Sequence, residues 1–308
     1  MKIIHGVEKI KKFPKPVVAL GVFDGVHRGH KIILQAAVRR TKETGGTSMV
    51  VTFWPHPQKE ESLYSLEHRL RLIRELGIDV CVVINFSRHF ASITAEEFIK
   101  KILIDKISAR EIYIGRNFRF GKHASGNFKM LESFSRIHNY RVKEFGVIKI
   151  NGKPISSTCI RRLIKKGNLA AAQKLLTRPV SVLGTVIRGR SLARKLGFPT
   201  ANIDPHHEVI PPSGVYAVKV ICENRIYKGV CNIGFRPTVT SQTLHVAKSQ
   251  DKHIEVHIFD LNKNLYGEYL EILFVSKIRQ EKRYPALEKL ASQIQKDIIL
   301  SKRIFSRQ

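Results

Sequence analysis

The feature that most constrains the fold is a change in the pattern of apolar residues near residue 178. Before it, short apolar runs such as 17–23 and 80–84 alternate with amphipathic helical patterns, for example over 30–44. Continuous apolar strands separated by helices are typical of a parallel sheet that is covered on both faces. The sequence therefore predicts an α/β domain with a parallel sheet over residues 1–178.

The second part of the chain has the pattern of an antiparallel β-domain. Strands joined by turn-forming residues are predicted at 215–222, 226–233, 254–261 and 269–275. Their spacing indicates a barrel or a sandwich. A final helix with Pro285 in its first turn is predicted, and its apolar face comprises Leu287, Leu290, Ile294 and Ile298. We therefore expect a second domain over residues 179–308.

Composition restricts the partners and the compartment. Fifty-four Lys and Arg against 25 Asp and Glu give a formal net charge of +29, which favours anionic partners such as nucleotides, nucleic acids or acidic lipids. The N-terminal segment lacks the apolar core of a signal peptide, and no apolar run approaches the roughly 20 residues of a membrane span. The 4 cysteines have no CxxC spacing and stand in or beside apolar runs, as buried thiols do in a reducing compartment. We expect a cytoplasmic protein without a zinc site or a membrane span.

The strongest local motif is Gly21–His30, GVFDGVHRGH, between a predicted strand and a predicted helix. In an open parallel sheet, ligands bind at the carboxyl ends of strands, and a helix start offers N–H groups and a positive dipole end to phosphate. His27 and His30 are three residues apart, so both can face one side and donate to a phosphate in the transition state. Gly29 leaves room for a flat base. The motif predicts a nucleotide site; the alternative is an ordinary strand–helix corner with two surface histidines.

The segment Ile155–Arg161, ISSTCIR, is a second candidate for phosphate binding. Ser157 is predicted to cap a single helix over roughly 158–176, and Thr158 and Arg161 would lie on its first turn. Arg161 could then bind phosphate oxygens. An ordinary capped basic helix would have the same residues, so the segment gains weight only beside the histidine motif.

Two loops of the first half are further candidates. The loop 115–121, GRNFRFG, has one residue too many for a P-loop, and His123 stands where Ser or Thr is required. Its aromatic residues and arginines could instead stack on a flat ring and bind phosphate, although structural phenylalanines are the alternative. The string 54–57, WPHP, is interpreted as a shaping turn, with His56 as a weak site candidate.

The second domain has its own candidate site. In Gly184–Asn202, a loop with glycines and arginines leads into the string PTAN. Thr200 and Asn202 share a side in extended chain and are hard oxygen ligands suited to Mg²⁺ beside nucleotide phosphates. Glu255 lies in a predicted strand whose apolar residues face the other way, and such a carboxylate can accept a hydroxyl proton during phosphoryl transfer. Taken singly, PTAN is an ordinary turn composition and a strand glutamate is usually solvated.

Taken together, these motifs resemble one family. GVFDGVHRGH is similar to the HxGH signature of nucleotidyltransferases, in the form found in bacterial bifunctional riboflavin kinase/FMN adenylyltransferases, and the chain from Val182 to the last helix resembles the riboflavin kinase module. The resemblance implies a Rossmann-like α/β nucleotidyltransferase domain followed by an antiparallel β-barrel kinase domain with a C-terminal helix. It implies that ATP phosphorylates riboflavin to FMN and that FMN is then adenylylated to FAD with release of pyrophosphate. Mg²⁺ and the co-substrate ATP are the implied cofactors, and no nucleic-acid partner is expected.

The resemblance also implies roles for individual residues. The catalytic residues would be Glu255, His27 and His30. The adenylyltransferase would bind ATP through Phe23, Gly29, Ser157, Thr158 and Arg161, and the flavin through Asn117, Phe118 and Arg119. The kinase would bind nucleotide through Gly189, Arg194, Gly197 and Pro199, and the metal through Thr200 and Asn202. Ala193 departs from the glycine usual in the family, which bears on the course of the nucleotide loop.

Two other functions stay open. The charge of +29 fits a nucleic-acid-binding protein on a nucleotidyltransferase scaffold, although the sequence has no RNP-type string, zinc module or recognition-helix pattern. A nucleotidyltransferase for another small substrate fits the first domain and leaves the barrel unexplained. The sequence predicts no oligomeric state.

Overall fold

In the computed structural model of the chain, the described residues are 1–57, 61–150, 152–189, 196–235, 252–282 and 284–307. They pack as two compact units. The first contains Met1–Ile160 with Leu175–Thr177, and the second contains Arg161–Lys174 with Arg178–Gln308. The division between residues 178 and 179 stays a prediction.

The first unit alternates strands and helices, as predicted. Its main strands are β1 (Lys2–His5), β2 (Pro16–Leu20), β3 (Thr47–Trp54), β4 (Val80–Asn85), β5 (Glu111–Gly115) and β6 (Arg141–Phe145), followed by the short pair β7 (Lys149–Ile150) and β8 (Lys153–Pro154). Its helices are α1 (Arg28–Thr44), α2 (Leu66–Glu75), α3 (Arg88–Ala91), α4 (Ala95–Glu97) with a π-helical continuation over Phe98–Lys106, and α5 (Phe128–His138). Single 3₁₀ turns cover Val7–Lys9 and Lys122–Ala124.

The sheet of the first unit positions the candidate site. Its six strands are all parallel, in the order β1-β4-β3-β2-β5-β6. Every residue of β2 is buried, which places this strand in the centre of the sheet. The chain continues to β3 on one side of β2 and reaches β5 on the other, so a crevice for ligands opens where the loops after β2 and β5 leave the same edge.

The predicted helix over 158–176 is wrong in two respects. The structure has two helices, α6 (Ser157–Lys165) and α7 (Leu169–Leu176). They are separated at Gly167, whose φ of 78° lies in the left-handed region that ends helices. Ser157 is also not the cap: Ser156 Oγ accepts a hydrogen bond of 3.2 Å from the N–H of Cys159, while Ser157 is the first helical residue.

The second unit contains a closed antiparallel barrel, which decides between the barrel and the sandwich. Its strands are β9 (Ser181–Ile187), β10 (Ala201–Asp204), β11 (Gly214–Cys222), β12 (Arg225–Phe235), β13 (Lys252–Ile258) and β14 (Tyr269–Arg279). The order is β10-β13-β12-β11-β14-β9, and β9 closes the barrel by pairing with β10. Strands β11 to β14 were predicted from the sequence, whereas β9 and β10 were not.

The C-terminal helix α8 (Leu287–Ser306) begins after Pro285 rather than with it. Ile298 and Phe305 of α8 pack with apolar side chains of the barrel, including Val215 and Phe259. No helix of the described residues is long and apolar enough to cross a membrane.

An ion pair fixes α8 to the end of β14. Both carboxylate oxygens of Asp297, a buried residue, accept hydrogen bonds from the Arg279 guanidinium at 2.8–3.1 Å. The side-chain amide of Gln293 donates to the same carboxylate at 2.9 Å. Loss of either partner of such a bidentate ion pair would leave the other charge without its counterion, which destabilises a fold.

Two candidate active sites

The turn between β2 and α1 has an unusual backbone. Phe23, Gly25 and Val26 have φ values of 53°, 82° and 37°, in the left-handed region that costs a side-chain-bearing residue free energy. Asp24 is buried at the centre of the turn, and both of its carboxylate oxygens accept from the N–H of Leu63 at 3.0 Å. The turn is therefore held by contacts with distant parts of the chain rather than by its own local preference.

The two histidines of the motif lie together at the start of α1. His27 caps the helix, because its Nδ1 accepts a hydrogen bond of 3.4 Å from the backbone N–H of His30. Their rings stack with centroids 3.6 Å apart, and the Phe23 ring meets His30 edge-on at 5.3 Å. Since Nδ1 of His27 is an acceptor, neutral His27 carries its proton on Nε2. A methyl group at Gly29 would press on the His27 ring at 3.2 Å, so this position favours glycine.

The ISSTCIR segment reaches the same turn through one contact. The Ser157 hydroxyl donates to the carbonyl oxygen of Asp24 at 2.8 Å, which brings the start of α6 to the turn. Thr158 beside it is exposed. Arg161 is buried and belongs to the second compact unit, whereas Ser157 belongs to the unit that holds the histidines.

The predicted flavin loop follows β5, the strand next to β2. Asn117 and Arg119 are exposed, and Phe118 is half-buried. The Arg119 guanidinium donates to the carbonyl oxygens of Arg116 and Phe118 at 3.2 and 2.9 Å, within its own loop. Phe120 is a buried core residue, which agrees with the alternative that the phenylalanines of this loop are structural. His56 is half-buried in the turn after β3, on the other side of β2.

Glu255 stands in a row of polar residues on the outer face of the barrel. Its Cα is paired with that of Asn202 in β10 and with that of Asn232 in β12, and side chains of directly opposite residues share a face. The neighbours Ile254 and Val256 are fully buried, so Glu255 points outward, as its strand pattern predicted. His253 Nε2 lies 3.7 Å from the Glu255 carboxylate. Asn232 was not among the predicted site residues. The alternation of side chains along β12 indicates that Asn232 faces outward, but it does not reveal that Glu255 lies opposite it.

The predicted nucleotide loop meets this row at Asn202. A Cβ at Gly189 would overlap the side-chain amide of Asn202, so only glycine leaves the amide its place. Pro199 is held by its carbonyl oxygen, which lies 2.8 Å from Nδ1 of His257. Gly197 has a φ of 85° with open space beside it, and Thr200 is half-buried directly before β10. Ala193 and Arg194 lie outside the described residues.

The oxygen atoms near Asn202 suit the coordination requirements of Mg²⁺. Asn202 and Thr200 supply a carbonyl and a hydroxyl oxygen two residues apart, and the side chain of Asn202 is nine-tenths buried. Across the described residues no group of three or more His, Cys, Asp and Glu could hold a metal ion. Mg²⁺ commonly uses one or two protein oxygens with water and substrate phosphates, so this set fits Mg²⁺ better than a metal that needs a full protein cage.

Comparison with known proteins assigns both halves. The chain matches the FAD synthetase family model over residues 9–159 and the riboflavin kinase family model over residues 176–305. It is 37% identical to the bifunctional riboflavin kinase/FMN adenylyltransferase of Buchnera aphidicola subsp. Schizaphis graminum, covering 99% of both chains. It is 33% identical to the protein of that name from Escherichia coli (strain K12), covering 99% of this chain and 98% of the relative.

A solved structure shares the fold along the chain. The crystal structure of a macrolide-efflux protein from Streptococcus pneumoniae superimposes with a TM-score of 0.82 and 27% sequence identity, covering 98% of this chain and 99% of the other. The identities to the enzymes are higher and extend over both units. The chain therefore belongs to the bifunctional riboflavin kinase/FMN adenylyltransferase family, as its motifs predicted.

Proposed function

We propose that the two candidate sites carry the two activities of the family, with residues 1–178 forming FAD and residues 179–308 forming FMN. The kinase converts riboflavin and ATP to FMN and ADP. The adenylyltransferase converts FMN and a second ATP to FAD and pyrophosphate. The observation that carries the proposal is the stacked pair of His27 and His30 at the start of α1, beside the loop after β5.

In the adenylyltransferase site, an oxygen of the FMN phosphate attacks the α-phosphorus of ATP, and pyrophosphate leaves. Negative charge grows on the departing phosphates, and imidazole N–H groups with the positive end of α1 stabilise it. We assign this role to His27 and His30. The adenine would lie against Phe23 and Gly29, with Ser157, Thr158 and Arg161 as further ATP ligands and Asn117, Phe118 and Arg119 as flavin ligands.

In the kinase site, Glu255 accepts the proton of the ribityl 5′-hydroxyl while the γ-phosphoryl group moves to that oxygen. The flanking amides of Asn202 and Asn232 support this role, because they can orient the carboxylate or the hydroxyl. Thr200 and Asn202 would hold Mg²⁺, which when bound offsets the charge of the nucleotide phosphates. Gly189, Gly197, Pro199 and Arg194 would form the nucleotide loop.

A cytoplasmic location is part of the proposal. It is supported by the cysteines, which are all free thiols in the structure, three of them buried. Free buried thiols are usual in a reducing compartment.

The test is chromatography of flavins after incubation with riboflavin, ATP and Mg²⁺. Wild type should form FMN and then FAD. His30→Ala should lower FAD formation from FMN by about 10²–10³-fold, the usual effect of removing one preorganised donor, and leave FMN formation from riboflavin unchanged. His89→Ala, at an exposed histidine of α3, is the matched control and should change neither rate.

Two results would contradict the proposal. Loss of both activities in His30→Ala, with an unchanged circular dichroism spectrum, would exclude independent sites. Absence of FMN and FAD from the wild-type reaction, together with salt-dependent binding of RNA or DNA, would favour the nucleic-acid-binding alternative.

A further inference from the structure

Arg69 of α2 is a fully buried cation behind the β2–α1 turn. Its relative exposure is 0%, and it is the largest of the fully buried side chains among the described residues. Its Nη1 donates to the carbonyl oxygens of Val22 at 3.0 Å and Phe53 at 3.3 Å. Burial of a guanidinium costs free energy unless its charge is paired and its N–H groups are hydrogen-bonded. The buried position of Arg69 therefore needs a physical reason.

The guanidinium lies where three segments meet. Val22 belongs to the turn after β2, and Phe53 belongs to the carboxyl end of β3. The guanidinium carbon is 5.4 Å from the centre of the Trp54 ring, a cation–π contact with the turn after β3. Nη2 is 3.9 Å from the carboxylate of Asp24, which itself binds the backbone N–H of Leu63 before α2. One side chain thus connects the carboxyl ends of the neighbouring strands β2 and β3 with the segment that leads into α2.

The contact with Val22 bears directly on the strained backbone. The Val22 carbonyl oxygen accepts from Arg69 Nη1 and also from the Thr52 hydroxyl, at 2.8 Å. The next residue is Phe23, with a φ of 53°, and three residues later Val26 has a φ of 37°. A backbone of this kind persists only where its surroundings over-determine it. Two donors on one carbonyl fix the peptide plane that enters the strained part of the turn.

The remaining N–H donors of Arg69 indicate that packing alone does not explain why an arginine occupies this position. Nε and Nη2 are buried and have no hydrogen-bond partner among the described residues. A neutral side-chain donor would satisfy the two carbonyls, whereas the guanidinium also places a positive charge behind the turn. That turn leads into His27 and the start of α1, which are groups proposed to meet the ATP phosphates.

We propose that Arg69 is a positioning residue of the adenylyltransferase: by holding the Val22 carbonyl and Asp24, it keeps the Phe23–His27 turn in the conformation that receives the phosphates of ATP. The inference rests on the proposed function of the turn. Arg69 touches no reacting atom, so its effect passes through the turn. Loss of Arg69 should therefore raise the KM for ATP more than the KM for FMN.

The test is steady-state kinetics of FAD formation in the full-length chain, with ATP and FMN varied separately. Arg69→Met removes the charge and both hydrogen bonds but keeps an apolar side chain of similar reach. It should raise the KM for ATP at least tenfold, leave the KM for FMN within twofold, and leave the riboflavin kinase rate of the same sample unchanged. Arg69→Lys restores a cationic donor and should recover most of the KM for ATP. Arg74→Met, at an exposed arginine of the same helix, is the control.

A merely structural role gives a different result. Partial unfolding reduces the active fraction, which lowers kcat and leaves both KM values unchanged, so an unaltered KM for ATP in Arg69→Met would overturn the proposal. If Arg69→Met does not fold, Arg69→Gln against Arg69→Lys gives the same comparison, and equal KM values in those two variants would also overturn it. Failure of the proposed function is distinguished by His30→Ala, because FAD formation would then be insensitive to that variant.

Discussion

Replacement of Glu255 by Gln tests the kinase site most directly. The substitution keeps the shape of the side chain and its ability to hydrogen-bond with the amides of Asn202 and Asn232, which are its neighbours across β13. It removes the negative charge and the capacity to take a proton. Riboflavin and ATP should therefore still bind, and only the chemical step should slow.

The expected magnitude follows from what Glu255 contacts. A positioned general base accelerates a reaction by about 10²–10⁴-fold, and phosphoryl transfer uses its base late, so we expect the lower end. A loss of about 100-fold equals about 2.7 kcal/mol of transition-state stabilisation. The only ion pair lost among the described residues is the 3.7 Å contact with His253, on a carboxylate that is 32% exposed. Such a pair contributes about 0–1 kcal/mol, so the free energy of unfolding should change little.

The assay measures kinase turnover, with riboflavin affinity taken separately from flavin fluorescence quenching. FAD formation from FMN in the same sample is the internal reference. Glu223→Gln is the matched control, because it also removes an exposed ion pair, that with Lys263, from the second unit. Turnover of Glu255→Gln within a few-fold of wild type would refute the reasoning. Weaker riboflavin binding at unchanged turnover would make Glu255 a substrate-orienting residue instead.

Three further outcomes are expected. Asn202→Ala should raise the Mg²⁺ concentration for half-maximal kinase activity by at least about tenfold, because an oxygen ligand is lost, and an unchanged metal titration would refute the assignment. Arg279→Met should lower the free energy of unfolding of the second unit by about 2–3 kcal/mol in a urea titration followed by kinase activity, because the buried Asp297 carboxylate would keep only Gln293 as a hydrogen-bond donor among the described residues. Arg303→Met, at an exposed residue of α8, should change the free energy of unfolding little, and equal urea midpoints for the two variants would contradict the prediction. Iodoacetamide at pH 8 should modify Cys159 in the native protein and spare the three buried thiols. Burial raises the pKa of these thiols, to about 12 for Cys81, so that they stay protonated and unreactive. Fast labelling of a buried thiol without denaturant would contradict the burial of these cysteines in the structure. The buried thiols are Cys81, Cys222 and Cys231.

The fold could be predicted where local pattern and tertiary structure agree. The parallel strands of the first unit are continuous apolar runs, so their period marks them without knowledge of their neighbours. In contrast, β10 covers only Ala201–Asp204 and is recognised by its pairing with β9 and β13, which the local sequence does not contain. The break between α6 and α7 had a signal in Gly167, but the apolar positions on both sides continue the helical period across it.

The candidate sites show the same limit. His27 and His30 lie in one contiguous motif, so their spacing alone predicted that they face one side. Which serine caps α6 depends on the contact of Ser157 with the carbonyl of Asp24, and no local rule chooses between two adjacent serines. Arg69 falls on the apolar stripe of α2, three residues after Leu66 and four before Ile73, which is a signal of burial. The groups that it binds are far away in the sequence, and only the folded chain brings them together.

The outward position of Glu255 on a closed barrel has a consequence for how the enzyme can change. Within β13, Ile254, Val256 and Ile258 fill the barrel, while Glu255 and His257 stand on the opposite face. Under the proposed role of Glu255, a substitution that adapts the outer face to a modified flavin leaves the interior side chains unchanged, and a substitution in the interior leaves Glu255 unchanged. Substrate range and thermal stability can therefore be selected in separate rounds of laboratory evolution, by mutating alternate residues of the same strand.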